Sequence, residues 1–158
     1  MSIKKQAKLP KIHLGTDHAG FELKENVKTW LRAEGYSVID HGAKKLEPLD
    51  DFTDFVTLAV KALAKQSNKD KAIIFGGSGQ GEAMMANRFK KIRAVVYYGG
   101  NEEIITLSRQ HNDANVLSLG ARFVAVDLAK KVIWYLLHTE PLTDKKYSRR
   151  NKKLDTLS

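Results

Sequence analysis

A glycine-rich segment near the middle of the chain has residue types suited to holding an anion and moving a proton. It reads Gly76-Gly77-Ser78-Gly79-Gln80-Gly81-Glu82 and runs directly into a helical pattern. Four glycines in six residues let the backbone approach a ligand closely and aim several N–H groups at it, which predicts an anion hole. The side chain of Glu82 could take and return a proton beside those amides, or it could simply be a favourable charge in the first turn of a helix.

Known nucleotide-binding loops do not fit this segment. No Gly-Lys-Ser/Thr follows it, as the phosphate loop of nucleotide hydrolases requires, and its glycine spacing misses the dinucleotide pattern Gly-x-Gly-x-x-Gly. The sequence therefore disfavours a nucleoside triphosphate or a nicotinamide cofactor.

An earlier segment places a carboxylate and an imidazole side by side where a helix is predicted to begin. It reads Gly15-Thr16-Asp17-His18-Ala19-Gly20. The unpaired N–H groups and the positive dipole end of a helix start attract phosphate, and His18 could add a charge-assisted hydrogen bond. The alternative is that Asp17 only caps the helix and that His18 has no role.

A third polar segment, residues 108–115, ends a predicted helix and enters the last predicted strand. It contains His111, Asn112 and Asp113 in succession. A single histidine near a helix end is more often structural than catalytic, so the local pattern leaves the role of His111 open. The chain has no cysteine, no His-Glu-x-x-His motif and no second histidine at ligand spacing here, so no metal site is predicted.

The elements that must position these segments follow a βαβ rhythm. Strands are predicted over residues 11–15, 37–40, 72–75, 94–97 and 116–119, and helices over 21–34, 54–66, 82–89, 102–110 and 124–138. This alternation predicts a Rossmann-like, three-layer α/β/α sandwich around a five-stranded, mostly parallel sheet. Ligands of such folds bind beyond the carboxyl ends of the strands. Met84 and Met85, just after the glycine-rich segment, are predicted to lie in the core.

The composition predicts one compact domain over residues 1–158, located in the cytoplasm, with an anionic partner. Of the 158 residues, 42% are hydrophobic, which is enough for a core. No apolar run approaches the roughly 20 residues of a membrane span, and the basic start is not followed by an apolar signal core. The net charge of +9 points to nucleic acid, a membrane surface or a phosphorylated small molecule. Much of the positive charge lies in two clusters: Lys4, Lys5, Lys8 and Lys11, interpreted as a solvated terminus, and Lys145, Lys146, Arg149, Arg150, Lys152 and Lys153.

Taken together, the motifs resemble the type B ribose-5-phosphate isomerase family, to which galactose-6-phosphate isomerase subunits and allose-6-phosphate isomerases also belong. The likeness covers residues 12 to 157 in the family's order and spacing. It is carried by Gly15-Thr16-Asp17-His18-Ala19-Gly20, the glycine-rich segment, Ala86-Asn87-Arg88, and Arg109-Gln110-His111-Asn112-Asp113-Ala114-Asn115. The resemblance implies aldose–ketose isomerisation of a phosphorylated sugar through ring opening and an enediolate, with no metal and no cofactor.

The resemblance also implies catalytic roles for individual residues. Asp17 and His111 match positions that open the furanose ring. Glu82 matches the catalytic base of one branch of the family, whereas the other branch uses a cysteine at the position of Gly77. The cradle for the carbonyl and enediolate oxygens matches Ser78 and the backbone amides of Gly77, Gly79 and Gly81. A chain without cysteine is similar to the glutamate branch.

The implied substrate-binding set extends to the basic end of the chain. The phosphate-binding positions match His18, Arg122, Arg149 and Lys153, and Asn112 matches a residue that binds the sugar hydroxyls. The last phosphate position is usually arginine, so Lys153 keeps the charge but not the bidentate fork. In the family, two subunits of a dimer share each active site. The resemblance thus implies a homodimer or a dimer of dimers, with the segment from about 142 to 158 packing on the partner subunit and with neither nucleic acid nor a membrane as a partner.

One departure from the family pattern concerns the sugar itself. The family's Asp-Tyr-Pro appears here as Asp51-Phe52-Thr53, which removes a hydroxyl from the pocket. Ribose 5-phosphate is the first substrate to expect, and a six-carbon sugar phosphate such as allose or galactose 6-phosphate is the alternative. A non-catalytic sugar-phosphate-binding subunit and, more remotely, a nucleic-acid-binding protein are the other functions considered.

Overall fold

A computed structural model describes residues 9–157, so the predicted basic cluster at Lys4, Lys5 and Lys8 lies outside the described residues. The five strands are β1 (Lys11–Thr16), β2 (Ser37–Asp40), β3 (Lys71–Gly76), β4 (Ala94–Tyr97) and β5 (Val116–Gly120). The helices are α1 (Phe21–Ala33), α2 (Phe52–Ala64), α3 (Gln80–Ala86), α4 (Glu103–Asn112), α5 (Val126–His138) and α6 (Lys145–Thr156). A 3₁₀ turn, His18–Gly20, precedes α1.

The strands form one parallel sheet in the order β2-β1-β3-β5-β4. Both faces are covered, because alternate side chains of the central strand β3 enter different cores. Ile73 and Phe75 pack with α1, α4 and α5, whereas Ala72 and Ile74 pack with α2 and α3. The predicted Rossmann-like, three-layer α/β/α sandwich with a five-stranded parallel sheet is confirmed.

The chain reverses its winding between β1 and β3, which lie side by side. The loop after β1 leads to α1 on one face of the sheet, and the loop after β3 leads to α3 on the other. Two loops that diverge in this way leave a crevice at the carboxyl ends of the strands, where open α/β sheets bind ligands. The fold thus brings the segments that contain Asp17 and Glu82 to the two sides of one crevice.

Helix α6 and one methionine differ from the prediction. The sequence pattern predicts no secondary structure for the basic segment after residue 142, yet that segment forms α6, whose N-cap is Asp144. No α6 residue is fully buried, and its only apolar side chains, Tyr147 and Leu154, are too few to form the apolar stripe that predicts a helix from sequence. The prediction that Met84 lies in the core is wrong, because its side chain is 66% exposed, whereas Met85 packs against the core beside α2. Among residues 9–157, no helix combines the length and the apolar character that a bilayer crossing requires.

A buried ion pair fixes the loop beside the crevice. The fully buried ammonium of Lys24 donates to both carboxylate oxygens of Asp40 at 2.8 Å and to the carbonyl of Ala43 at 2.7 Å. Burial favours the neutral acid, but hydrogen bonds from Lys24 and Lys28 outweigh it and lower the pKa of Asp40 to about 2. The loop is tied to the end of β1, since the N–H of Thr16 donates to the carbonyl of Gly42 at 2.8 Å.

We therefore expect Lys24→Met to lower the free energy of unfolding by about 2 kcal/mol, because the largely buried carboxylate of Asp40 keeps only Lys28 as a charged partner. Urea unfolding followed by tryptophan fluorescence measures this loss. The control is Lys61→Met on the exposed face of α2, which should change the free energy by less than about 0.5 kcal/mol. Equal, small effects of both changes would show that the pair contributes little.

Candidate active site

The glycine-rich loop places the carboxyl group of Glu82 at the carboxyl end of β3. A methyl group on Gly76 would overlap the Glu82 carboxylate, so only glycine at this position leaves room for it. Gly79 has a φ of 77° as the N-cap of α3, and its carbonyl accepts a 2.6 Å hydrogen bond from the Ser118 hydroxyl. The left-handed backbone that turns the loop into α3 suits glycine. Ser78, between them, is exposed to solvent at the mouth of the crevice.

The environment of Glu82 favours its uncharged form. Its side chain is buried, with the residue only 5% exposed. Burial raises the pKa of Glu82, a hydrogen bond from its own backbone N–H opposes that shift, and the negative charge of Asp17 adds to it. A carboxylate that holds its proton more tightly than usual is a stronger base at neutral pH, which is what proton abstraction from carbon requires.

Asp17 and His18 lie on the other side of the crevice, in the loop after β1. The Asp17 carboxylate accepts a 3.0 Å hydrogen bond from the N–H of Ala19, so it caps the 3₁₀ turn, in agreement with the simpler interpretation of the sequence. Its other oxygen lies 3.9 Å from Nδ1 of His18. Capping and catalysis are compatible here, because one oxygen is used by the cap and the other faces the imidazole.

The Asp17–His18 pair has a third neighbour, Asp50, for which the sequence suggested no role. Nδ1 of His18 lies 2.8 Å from Oδ1 of Asp50, and one ligand atom from each of the three residues falls within 4.8 Å of the others. Such a cluster has the composition of a cation site. However, Nδ1 must carry a hydrogen to bond a carboxylate, so this nitrogen has no free lone pair for a metal.

Arg122 reaches the same crevice from the loop after β5. The backbone N–H of Arg122 donates to the carbonyl of Gly77 at 3.1 Å. A Cβ added to Gly77 would lie 3.1 Å from the guanidinium carbon of Arg122. The guanidinium therefore packs directly on the glycine-rich loop. The ring of Phe52 closes the loop from the other side, where a Cβ on Gly81 would lie 2.9 Å from its Cζ. One chain thus assembles Asp17, His18, Gly77, Ser78, Gly79, Gly81, Glu82 and Arg122.

The remaining predicted site residues lie at the amino ends of the strands, whereas the crevice lies at their carboxyl ends. Helix α4 runs back against the strands, so His111 and Asn112 at its end precede the amino end of β5. The length of that strand separates this edge from the crevice by about 15 Å. A single chain therefore does not bring His111 and Asn112 to Glu82.

The second set is organised by α6. The ring of Tyr147 stacks on His111 with centroids 4.6 Å apart, and the side-chain amide of Asn151 donates to the His111 carbonyl at 3.2 Å. Arg149 and Lys153, one turn apart on α6, are exposed. No local pattern signals Tyr147 or Asn151, because both contact a residue from a distant part of the chain, 40 positions away for Asn151.

An ion network fixes α6 to the sheet edge at its far end. Arg93 pairs with Asp155 at 2.8 Å and with Asp113 at 3.1 Å. The helix is thus held through polar and aromatic contacts rather than through a buried apolar face. Its position places the exposed cations of α6 beside His111 and Asn112.

Comparisons with known proteins identify the family of the chain. A sequence model of the family described as Ribose/Galactose Isomerase matches residues 12–154. The ribose-5-phosphate isomerase B of Escherichia coli (strain K12) is 39% identical over 127 residues, which cover 79% of this chain and 81% of that protein. The structure of ribose 5-phosphate isomerase B from Anaplasma phagocytophilum superposes with a TM-score of 0.85 at 34% identity, covering 92% of this chain and 97% of that one.

A second solved structure carries a ligand. Ribose-5-phosphate isomerase B from Mycoplasma genitalium with bound ribulose-5-phosphate superposes with a TM-score of 0.86 at 32% identity, covering 92% of this chain and 93% of that one. The family model spans nearly all of the sheet, the glycine-rich loop and α6. The chain therefore belongs to the ribose/galactose isomerase family.

Proposed function

We propose that this chain interconverts ribose 5-phosphate and ribulose 5-phosphate by moving a proton between carbons 1 and 2. The observation that carries the proposal is the buried carboxyl group of Glu82 beside a loop of glycine amides at the carboxyl end of β3. The relative from Mycoplasma genitalium, solved with ribulose-5-phosphate, supports this choice of substrate.

Glu82 is the base that takes the proton from carbon 2 and returns it to carbon 1, while the hydroxyl proton on O2 passes to O1 and the carbonyl moves from carbon 1 to carbon 2. Negative charge then grows on the neighbouring oxygen as the enediolate forms. The hydroxyl of Ser78 and the amides of Gly77, Gly79 and Gly81 face that oxygen, and each such donor stabilises the developing charge by about 3 kcal/mol in comparable sites. These groups suffice for the reaction without a metal or a cofactor.

Ring opening must come first, because pentose phosphates are mostly cyclic. Asp17 and His111 serve this step, and an imidazole is an apt proton donor near neutral pH. In its own chain, His111 lies at the amino ends of the strands, away from the crevice. We therefore propose that a second copy of the chain supplies it. The same copy supplies Asn112, which binds the sugar hydroxyls.

The residues that bind the phosphate also come from two chains. His18 and Arg122 bind it from one chain, and Arg149 and Lys153 bind it from α6 of the second. This division is supported by the exposure of α6, which lies beside His111. We propose that the segment after residue 142 packs on the partner subunit. We propose a homodimer, alone or paired into a dimer of dimers, and a cytoplasmic location, where phosphorylated sugars are retained by their charge.

The substrate is tested by supplying ribose 5-phosphate and the six-carbon aldose phosphates of allose and galactose in deuterium oxide. We expect the highest kcat/KM with ribose 5-phosphate, with deuterium appearing on the carbon next to the carbonyl of the ketose. Phe52 presents no hydroxyl beside Gly81, so the six-carbon substrates are the informative competitors. Turnover of a six-carbon phosphate alone would move the assignment to that sugar, and binding of all of them without deuterium incorporation would identify a non-catalytic subunit.

A further inference from the structure

The loop between β2 and α2 delivers a carboxylate that holds His18 at two points. Oδ1 of Asp50 accepts a hydrogen bond from the backbone N–H of His18 at 2.9 Å and another from its ring Nδ1 at 2.8 Å. The Asp50 side chain is 11% exposed. Both the backbone and the ring orientation of His18 are thereby fixed by one residue 32 positions away.

The contact determines which nitrogen of His18 can meet a ligand. A carboxylate oxygen only accepts, so Nδ1 carries the hydrogen and Nε2 is left as the free nitrogen. Phosphate oxygens also accept, so Nε2 must carry a hydrogen to bind one. With Nδ1 held 2.8 Å from Asp50, Nε2 is the ring nitrogen that can donate to a phosphate oxygen.

The second oxygen of Asp50 points to the same conclusion. Oδ2 is buried, and no group within residues 9–157 donates a hydrogen bond to it. A buried acceptor without a donor is costly, so the two hydrogen bonds from His18 to Oδ1 are the polar contacts that hold the Asp50 carboxylate in place. Backbone bonds hold the loop in place, from Asp50 to Glu47 at 3.2 Å and from Ala43 to Thr16 at 2.7 Å.

We propose that Asp50 is a positioning residue that fixes His18 with Nδ1 towards itself and presents an Nε2–H donor to the phosphate group of the substrate. This inference rests on the proposed function in one respect, namely that His18 faces the phosphate. It assigns to Asp50 a role in binding, not in proton transfer to or from carbon.

The test compares Asp50→Asn with Asp54→Asn, which removes the same charge from an exposed position in the first turn of α2. Asp50→Asn should raise KM for ribose 5-phosphate about tenfold and leave kcat within about twofold, as expected for one charge-assisted hydrogen bond. It should weaken the binding of inorganic phosphate, measured by calorimetry, by a similar factor. Asp54→Asn should change neither constant by more than about twofold.

A double-mutant cycle separates positioning from a general charge effect. If Asp50 acts through His18, then Asp50→Asn adds no further rise in KM to a His18→Gln variant. Equal rises in KM for Asp50→Asn and Asp54→Asn, or additive effects in the cycle, would overturn the proposal. So would a fall in kcat with KM unchanged, because it would place the pair in proton transfer.

The native protein provides a readout that does not depend on any variant folding. Two-bond ¹⁵N–¹H correlation spectra of the imidazole should show His18 with a protonated Nδ1, and a neutral ring with hydrogen on Nε2 alone would contradict the inference. If ribose 5-phosphate is not isomerised but Asp50→Asn still weakens phosphate binding, the substrate assignment fails and the role of Asp50 stands.

Discussion

Glu82→Gln is expected to lower kcat for ribose 5-phosphate about a thousandfold, because an amide cannot take a proton from carbon 2. KM should change less than about threefold, since the substituted amide keeps the shape of the side chain and the phosphate contacts are elsewhere. Steady-state kinetics and calorimetric binding of the substrate measure the two effects separately. A variant with near-normal kcat would refute the assignment of Glu82 as the base.

Stability gives this prediction a second, independent readout. Burial raises the pKa of Glu82 above its ordinary 4.5, so the folded protein holds this proton more tightly than the unfolded chain does. The neutral acid therefore contributes to the free energy of unfolding. This contribution is fully present below pH 4.5 and is lost as the pH rises through the raised pKa of Glu82. Near neutral pH the charged group opposes folding, so Glu82→Gln should be at least as stable as the native protein while being inactive.

The control for this experiment tests the simpler interpretation of Glu82. If Glu82 were only a favourable charge in the first turn of α3, its replacement would cost about 0.3 to 1 kcal/mol of stability and leave activity intact. Glu103 lies in the first turn of α4 and is exposed. Glu103→Gln should show that mild loss of stability with normal kcat, which is the opposite of the pattern expected for Glu82→Gln.

The strands are the most predictable part of the fold, for a reason that β3 illustrates. Residues 72–75 form a short apolar run because both faces of the strand are buried. The observed strand, Lys71–Gly76, is longer than the predicted one by one residue at each end. The predicted bounds of the fourth strand equal the observed ones, Ala94–Tyr97. Strands whose faces are wholly or partly covered need apolar side chains at consecutive positions, so the sequence displays these runs directly.

Features that depend on distant contacts are not predictable in this way. Helix α6 carries no buried residue and is held by Tyr147 against His111 and by Asp155 against Arg93, which is 62 residues away. Asp50 lies in a loop without periodicity, and its partner His18 is 32 positions away along the chain. Met84 is apolar enough for the core, but α3 has only seven residues, and Met84 faces away from the core beside α2.

The sequence predicts a set of site residues but not how they are arranged. The loops after β1 and β3 meet because adjacent parallel strands end at the same edge of the sheet. His111 lies near the end of α4, which returns to the amino ends of the strands. Within one chain it is therefore far from Glu82. That separation is the physical reason to expect that two chains are needed for one site.

Two inactive variants should therefore restore activity to each other when they form a mixed dimer. In a dimer of one Glu82→Gln chain and one His111→Gln chain, one site combines both substitutions and the other has native Glu82 and native His111. Mixed dimers isolated through two different affinity tags should show about half of the native activity, whereas each variant alone should retain less than about 1%.

A different pair of inactive variants provides the control for this complementation. Asp17 and Glu82 of one chain line the same crevice, so a mixed dimer of Asp17→Asn and Glu82→Gln chains has one substitution in each of its two sites. It should stay inactive, although it contains native copies of both residues. Recovery in this second pair would mean that Asp17 and Glu82 reach one site from different chains. No recovery in the first pair would mean that each site is built within a single chain. In that case α4 and α6 would have to move His111 across the length of β5, which the contacts of Arg93, Asn151 and Tyr147 oppose.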